Sequence, residues 1–290
     1  MDLRQLGYFV AAVDHQGFTR AATAVHVAQP SLSQSIRSLE AELGVDLFDR
    51  VGREVRLTAA GEALVEPARQ ALRDVRTARA AVAAVRDVAG GHLDLVCLPT
   101  LAVSPVADHV GAYRRRHPLV TVRLVEPEDA GALIDLVRSG RSEIGFTELP
   151  MSTGGLIEVE LSSQAYVAVV PRGSQVGPRV TMAELAALPL ITTPAGTSTR
   201  RLIDEAFARS GQVPMIAIET DHREVITAMV RAGGGYSILP RPVADRIARR
   251  DATVVEIRPA VTRRVGMIRR EGTLSPAGRA FVDLVISPGT

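Results

Sequence analysis

Residues 18 to 50, FTRAATAVHVAQPSLSQSIRSLEAELGVDLFDR, leave this chain few choices of fold. Leu32, Ile36, Leu39 and Leu43 recur at spacings of four, three and four, the apolar stripe of one α-helix. The opposite face carries Ser31, Ser33, Gln34, Arg37 and Ser38. These are small or flat hydrogen-bonding side chains, of the kinds that reach phosphates and base edges in a major groove. Just before it, near Thr19 to Val25, a shorter helix is predicted with Ala21, Ala22 and Val25 turned inward. Small residues there let two helices cross closely, as a helix-turn-helix requires. Ser31 is expected to cap the second helix, with Pro30 holding Gln29 outside it. Spacing alone fits any pair of amphipathic helices equally well; the identity of the outward residues favours the nucleic-acid reading.

The flanks extend this unit. Leu3, Leu6, Phe9, Val10 and Val13 predict a bracing helix that ends at Gly17. Residues 44 to 57 read as a β-hairpin wing that turns at Gly52-Arg53 and is anchored by Leu47 and Phe48. Arg50, Arg53 and Arg56 cluster there, against the alternative of a solvated turn. Thr58 is expected to cap a long helix in which Leu64, Ala68, Ala71, Val75, Ala78, Val82 and Val85 alternate spacings of four and three. That seam predicts pairing with a second copy of the helix; the alternative is a long helix lying on its own domain. Pro67 is expected to kink it if it falls inside. Gly90-Gly91 is expected to end it as a hinge.

Composition bounds the rest. The 290 residues are 46% hydrophobic, enough for two or three packed units. No apolar run approaches the roughly 18 residues of a membrane span. No basic stretch followed by an apolar core opens the chain, so no signal peptide is expected, and the chain reads as cytoplasmic. Net charge is only +2, every basic residue is arginine, and the first 60 residues hold slightly more acidic than basic side chains. Bulk charge therefore does not announce nucleic-acid binding; local placement must. Cys97 stands alone, which excludes an intramolecular disulfide and, inside a buried strand, predicts a small hydrophobe. His15, His26, His92, His109, His117 and His222 show no metal-ligand spacing. With no nucleophile elbow, phosphate loop or lysine, neither metal, cofactor nor catalysis is expected; GGGY at 233 to 236 reads as the end of a helix.

From His92 strands alternate with helices. HLDLVCLP, VTVRLVE and EIGFTE frame a βαβαβ unit, two extended stretches cover 157 to 170, and a second unit opens on a Thr181–Glu184 capping box. It runs through PLITT, MIAIET and YSILP; TRRVGMIRR is a late strand and Ser275-Pro276 starts a final helix. Ligands bind beyond the carboxyl ends of such strands, where helix amides point inward. Three segments meet that description: Thr100-Leu101, Phe146-Thr147, and TTPAGTSTR, with Thr193, Thr197, Ser198 and Thr199 able to hold a carboxylate-like anion. Ordinary helix capping by Thr197 or Ser198 is the plainer reading of the last segment, and Arg200 either pairs with an acid or faces solvent.

MDLRQLGYFVAAVDHQGFTRAATAVHVAQPSLSQSIRSLEAELGVDLFDR with RLTAAGEAL closely resembles the N-terminal domain of LysR-type transcriptional regulators. Gly7 and Gln34-Ser35 depart from the commoner residues of that family, which bears on base preference and not on fold. GHLDLVCLPTLA, RRRHPLVTVRLVE, LIDLVRSGRSEIGF and AGGGYSILP resemble the family's effector domain, built like periplasmic solute-binding proteins. The resemblance implies an α plus α/β chain: a winged helix-turn-helix at 1–60, a linker and dimerisation helix at 61–90, and an effector domain at 91–290. Lobe I covers about 91–161 and 267–290, and lobe II about 162–266, joined by crossing strands near 161–166 and 262–267. It implies a sequence-specific DNA-binding regulator modulated by a small effector, often anionic, between the lobes. Gln29, Pro30, Ser31, Ser33, Gln34 and Arg37 would read the duplex, Thr19 and Arg20 hold phosphates, and Arg53 act from the wing. Expected partners are double-stranded DNA with a partly palindromic operator, a second copy through the linker helix as dimer or tetramer, and RNA polymerase. The alternative is a cytoplasmic sensor whose N-terminal helices mediate protein contacts.

Overall fold

The computed structural model describes residues 1–51, 54–85, 91–150, 154–247 and 252–287. The chain divides into two compact units, one built on Met1–Gly90 and one on the chain from Gly91 onward.

In the first unit, α1 (Leu3–Asp14) opens on a capping box in which Asp2 and Gln5 satisfy each other's amides at 2.8 and 2.7 Å. Helices α2 (Phe18–Ala24) and α3 (Gln29–Leu43) cross against it around Leu6, Phe9, Ala21, Leu32, Ile36 and Leu39. Ser31 does not cap α3. The helix begins at Gln29 behind Ala28, with Pro30 in its first turn. A proline costs nothing there, because first-turn amides have no intrahelical partner to lose. Gln29 is therefore helical, and Ser31 lies inside the first turn. Gly44 closes α3 in the left-handed region, φ 71°.

Strands β1 (Phe48–Val51) and β2 (Glu54–Leu57) pair antiparallel as the wing. Phe48 ties it to the core, with its ring 5.5 Å from Phe9 and 5.2 Å from Phe18. The turn at Gly52-Arg53 lies outside the described residues, as does Gly90. Helix α4 (Ala59–Val85) is capped by Thr58, whose hydroxyl accepts from the Gly61 amide at 3.0 Å. A Cβ at Gly61 would stand 2.1 Å from the Leu47 carbonyl, so only glycine lets α4 approach the wing. Pro67 sits within α4, and the helix continues through it. The predicted pairing seam is split: Leu64, Ala68 and Ala71 pack into the unit's own core, while Val75 is half-buried and Ala78 exposed. The side chains of Val82 and Val85 lie outside the described set.

The second unit starts with β3 (Gly91–Cys97), so Gly91 begins a strand. A short α5 (Pro99–Leu101) runs through a π-helical turn, Ala102–Val106, into α6 (Ala107–Arg116). Then come β4 (Val120–Val125), α7 (Ala130–Arg138) and β5 (Ile144–Leu149). β3 pairs parallel with β4 on one side and β5 on the other. Leu95, Val96, Cys97 and Leu98 are all buried, as an interior parallel strand covered on both faces requires.

The stretch expected as two pieces is one strand, β6 (Leu156–Pro171). After it come β7 (Arg179–Thr181), α8 (Met182–Ala186) with its Thr181–Glu184 capping box, and β8 (Pro189–Thr192). Next are α9 (Ser198–Arg209), β9 (Met215–Glu219), α10 (Arg223–Arg231), β10 (Ser237–Pro240) and α11 (Arg241–Ile247). The late strand is longer than TRRVGMIRR: β11 spans Ala252–Arg270, and α12 (Pro276–Ile286) follows it. β11 runs antiparallel along β6 from Ala252 opposite Pro171 to Arg270 opposite Leu156, with irregularities at Glu256/Val261 and Val265/Gly266. This shared ribbon carries the chain between two lobes. It unites a seven-stranded sheet ordered β10-β6-β11-β5-β3-β4, with β7 on β11; β8 and β9 pair separately. Lobe I packs around Leu93, Leu95, Phe146 and Phe281, and Tyr113 donates to the Ala277 carbonyl at 3.0 Å, seating α12 there. Lobe II packs around Ala168, Leu190, Ile203, Phe207, Tyr236 and Ile238.

Candidate nucleic-acid face and interlobe cleft

The side of α3 opposite Leu32, Ile36 and Leu39 is open. Gln29, Pro30, Ser31, Gln34 and Arg37 are exposed and Ser33 is half-buried. Positions 29, 33 and 37 fall on one line along the helix, with 30 and 34 on the next. Gln29 donates from Nε2 to the Ser33 hydroxyl at 2.9 Å, which preorients that pair. Thr19 and Arg20 are exposed at the start of α2, and Arg20 donates to the Gln16 carbonyl at 2.6 Å. Arg53 lies outside the described residues. Glu40 was missed by sequence reasoning. It is buried, and its Oε1 accepts from the amides of Leu47 at 3.0 Å and Phe48 at 3.3 Å, pinning the start of the wing to α3. Its signal was an acid four residues after Ile36, on the apolar stripe.

Between the lobes lies a cavity of about 360 Å³. Thr100 and Val103 line it from lobe I; Thr192, Thr193, Thr199 and Ile226 line it from lobe II. Thr100, Thr193 and Thr199 are thus brought together. Thr197 caps α9, accepting from the Arg200 amide at 3.3 Å and sharing a 2.7 Å bond with Thr193. The Ser198 amide donates across the lobes to the Glu128 carbonyl at 3.2 Å. The remaining candidates turn elsewhere. Leu101 and Thr147 are fully buried and absent from the cavity wall. Phe146 faces the lobe I core, edge-on to Phe281 at 6.1 Å and stacked on His109 at 6.3 Å. On β5 its neighbours alternate faces, and the sequence does not reveal which face borders the cleft. Arg200 pairs with Asp204 at 2.9 Å and Glu219 at 2.7 Å.

Two charged groups escaped sequence reasoning. Arg223 of lobe II lines the cavity and makes a two-pronged ion pair with Glu128 of lobe I, 2.7 Å from Nη1 to Oε1. Arg263, in the middle of β11, is 4% exposed and donates from Nη2 to the Thr100 hydroxyl at 3.0 Å and the Gln164 carbonyl oxygen at 2.6 Å. Burial and the nearby Glu126 charge push the Cys97 thiol up to about 12.

An outward hydrogen-bonding helix in a winged helix-turn-helix, followed by two α/β lobes around a hydroxyl-lined cleft, defines a DNA-binding transcriptional regulator with an effector-binding domain. The family model for the LysR substrate binding domain matches residues 86–287, and that for the bacterial regulatory helix-turn-helix protein, lysR family, matches residues 3–62. The chain belongs to the LysR family of transcriptional regulators. The "SDS degradation transcriptional activation protein" of Pseudomonas sp. (strain ATCC 19151) is 32% identical, with 98% of this chain and 95% of that protein covered. The "DNA-binding transcriptional dual regulator OxyR" of Escherichia coli (strain K12) is 30% identical, with 94% and 90% covered. Among solved structures, a cysteine-to-aspartate variant of full-length OxyR from Pseudomonas aeruginosa superposes with a TM-score of 0.77 at 25% identity, covering 99% of this chain and 94% of that one. Full-length CbnR complexed with its target DNA superposes with a TM-score of 0.69 at 27% identity, covering 99% of both. No helix of the described residues is long and apolar enough to cross a membrane.

Proposed function

We propose that residues 1–60 read DNA, that 61–90 link and pair two copies, and that 91–290 sense a small effector between lobe I (91–161 and 267–290) and lobe II (162–266). Gln29, Pro30, Ser31, Ser33, Gln34 and Arg37 meet base edges and nearby phosphates, Thr19 and Arg20 hold phosphates, and Arg53 reaches from the wing. Thr100, Thr193 and Thr199 contact the effector. The observation that carries this reading is the division of α3 into a buried stripe of Leu32, Ile36 and Leu39, with Leu43 exposed at its end, and an open serine, glutamine and arginine face. Among relatives, CbnR is described in complex with its target DNA. A dimer presents two reading helices about one turn of DNA apart or a multiple of that, so a partly palindromic operator fits it. The protein works in the cytoplasm beside RNA polymerase as a homodimer or tetramer, and it acts by binding and not by catalysis.

A gel-shift titration on the gene's own upstream region tests this. Wild type gives a retarded band at low salt, and Ser33→Ala combined with Arg37→Ala abolishes it. In a salt series Arg37→Ala alone lowers the slope of log K against log salt by about 1, as loss of one phosphate contact requires. An absent wild-type band, or an unchanged double variant, refutes the assigned face.

A further inference from the structure

Helix α3 carries two side-chain amides, Gln29 and Gln34, and the fold treats them differently. Gln29 opens the helix and spends an Nε2 proton on the Ser33 hydroxyl at 2.9 Å. Gln34 is exposed and makes no hydrogen bond among the described residues. At 3.6 residues a turn, Gln34 stands about 170° round the helix from the middle of the Leu32, Ile36 and Leu39 stripe, and Gln29 only about 50° from it. Gln34 therefore occupies the crest of the open face and Gln29 its flank. The helical neighbours of Gln34 are Pro30 and Ser31 on one side and Arg37 and Ser38 on the other, with no carboxylate among them to occupy its N–H groups.

Reach narrows the choice further. Ser31, Ser33 and Ser38 are one hydroxyl long and serve phosphate or any base edge alike. Arg37 lies a turn farther from the helix N-terminus, the end that meets base edges in a helix-turn-helix. Gln34 is the sixth residue of α3, long, uncharged and unengaged. A carboxamide holds an acceptor and a donor side by side. In the major groove only adenine shows the matching pair, its N6 amino group beside N7. Guanine shows two acceptors, so one of them would face Oε1. Cytosine shows a donor alone, and thymine an acceptor beside a methyl group. A phosphate shows acceptors alone and would leave Oε1 idle.

We infer that Gln34 sets the base preference of α3 by reading one adenine in each half-site. Its Oε1 accepts from the N6 amino group and its Nε2 donates to N7. This rests on the reading of the α3 face as the DNA contact. The Gln29–Ser33 pair stands beside the contact and does not compete for Gln34. The first 60 residues carry no excess of positive charge, so general attraction to phosphate is weak and selectivity leans on contacts of this kind.

Selection of bound duplexes from a random-sequence pool by the full chain, followed by sequencing, tests the assignment. Wild type is expected to enrich one adenine position per half-site about tenfold over guanine. Gln34→Arg moves that position to guanine and leaves the others, since a guanidinium matches O6 and N7. Gln34→Ala loses the preference there and keeps the rest of the motif. Arginine and alanine both suit an exposed helical position, and circular dichroism checks that the variants fold. A further measurement needs no variant. Putting 7-deazaadenine in place of the selected adenine removes the N7 acceptor. It is expected to weaken wild-type binding about fivefold in a gel-shift titration and to leave Gln34→Ala unaffected. A motif unchanged in Gln34→Arg, a change at a position other than adenine, or 7-deazaadenine bound by wild type as tightly as adenine overturns the assignment. The two readings fail separately. A selected motif indifferent to residue 34 keeps the regulator reading and removes the base assignment. A pool from which wild type enriches nothing removes the DNA reading and this assignment with it.

Discussion

Cys97 shows how a single buried position sets its own chemistry. It ends β3 with no exposed surface, and its thiol is pushed up from 9.0 to about 12, first by burial and then by Glu126. The thiolate is the reactive form, so the folded protein is expected to release no colour from Ellman's reagent at neutral pH until denaturant is added. Linkage has a definite sign here. The folded state keeps a proton that the unfolded chain gives up above its ordinary pKa. The stabilisation is therefore whole below pH 9.0 and is lost as pH climbs toward about 12. Cys97→Ala should flatten that part of an alkaline unfolding profile, and an unchanged profile would assign the slope to other groups. The lone cysteine inside an apolar strand was legible in the sequence. Arg263 was not: it sits in TRRVGMIRR among other arginines, and nothing in the letters says which of them alternation turns inward.

At the scale of elements, α3 was legible because its two faces differ in kind, and its start was misread because Ser31 looks like a cap. Pro30 decides the matter by fitting the first turn, where no amide bond is lost. The wing was legible as a hairpin, but its attachment depends on Glu40, a carboxylate spent on two backbone amides of the β1 entry. Removing it leaves both buried donors without that acceptor. Glu40→Ala should destabilise the N-terminal unit by about 2 kcal/mol, while Glu40→Gln, which keeps one acceptor oxygen, should cost less. Urea melts of the two variants check this ordering. Equal losses would show that charge and not the acceptor geometry holds the wing.

At the scale of the molecule, α4 divides its labour. Ala68 is 1% exposed in the core of its own unit, whereas Ala78 is open, although one heptad pattern covers both. The pattern was legible in the sequence; which part of it packs inside the unit was not, because apolar periodicity does not tell an intramolecular surface from an intermolecular one. Ala68→Arg is therefore expected to unfold the N-terminal unit. If the proposed pairing of two copies runs through this part of the helix, Ala78→Glu should leave the circular dichroism unchanged and lower the mass measured by sedimentation. A dimer indifferent to Ala78→Glu would take pairing away from this part of the helix.

Lobe closure admits a similar dissection. The Glu128–Arg223 pair joins the lobes beside the cleft, and the Ser198 amide reaches the Glu128 carbonyl from the other lobe at 3.2 Å. The partners' side chains are 40% and 23% exposed, so solvent screens the pair and its worth is at most about 1 kcal/mol. That is still enough to matter, because about 1 kcal/mol changes the ratio of closed to open lobes roughly fivefold. An effector needs only a comparable preference for one state to bias the population, which is the scale on which such a regulator can be switched. Glu128→Gln keeps the backbone carbonyl and removes the charge. In the effector-free protein it should speed hydrogen exchange at the Ser198 amide about fivefold, since that amide reports the opening directly. Amides inside β3 should not change. A Ser198 rate equal to wild type would mean that the ion pair does not hold the lobes together, and closure would then rest on the Thr100–Arg263–Gln164 cluster and the ribbon beneath it.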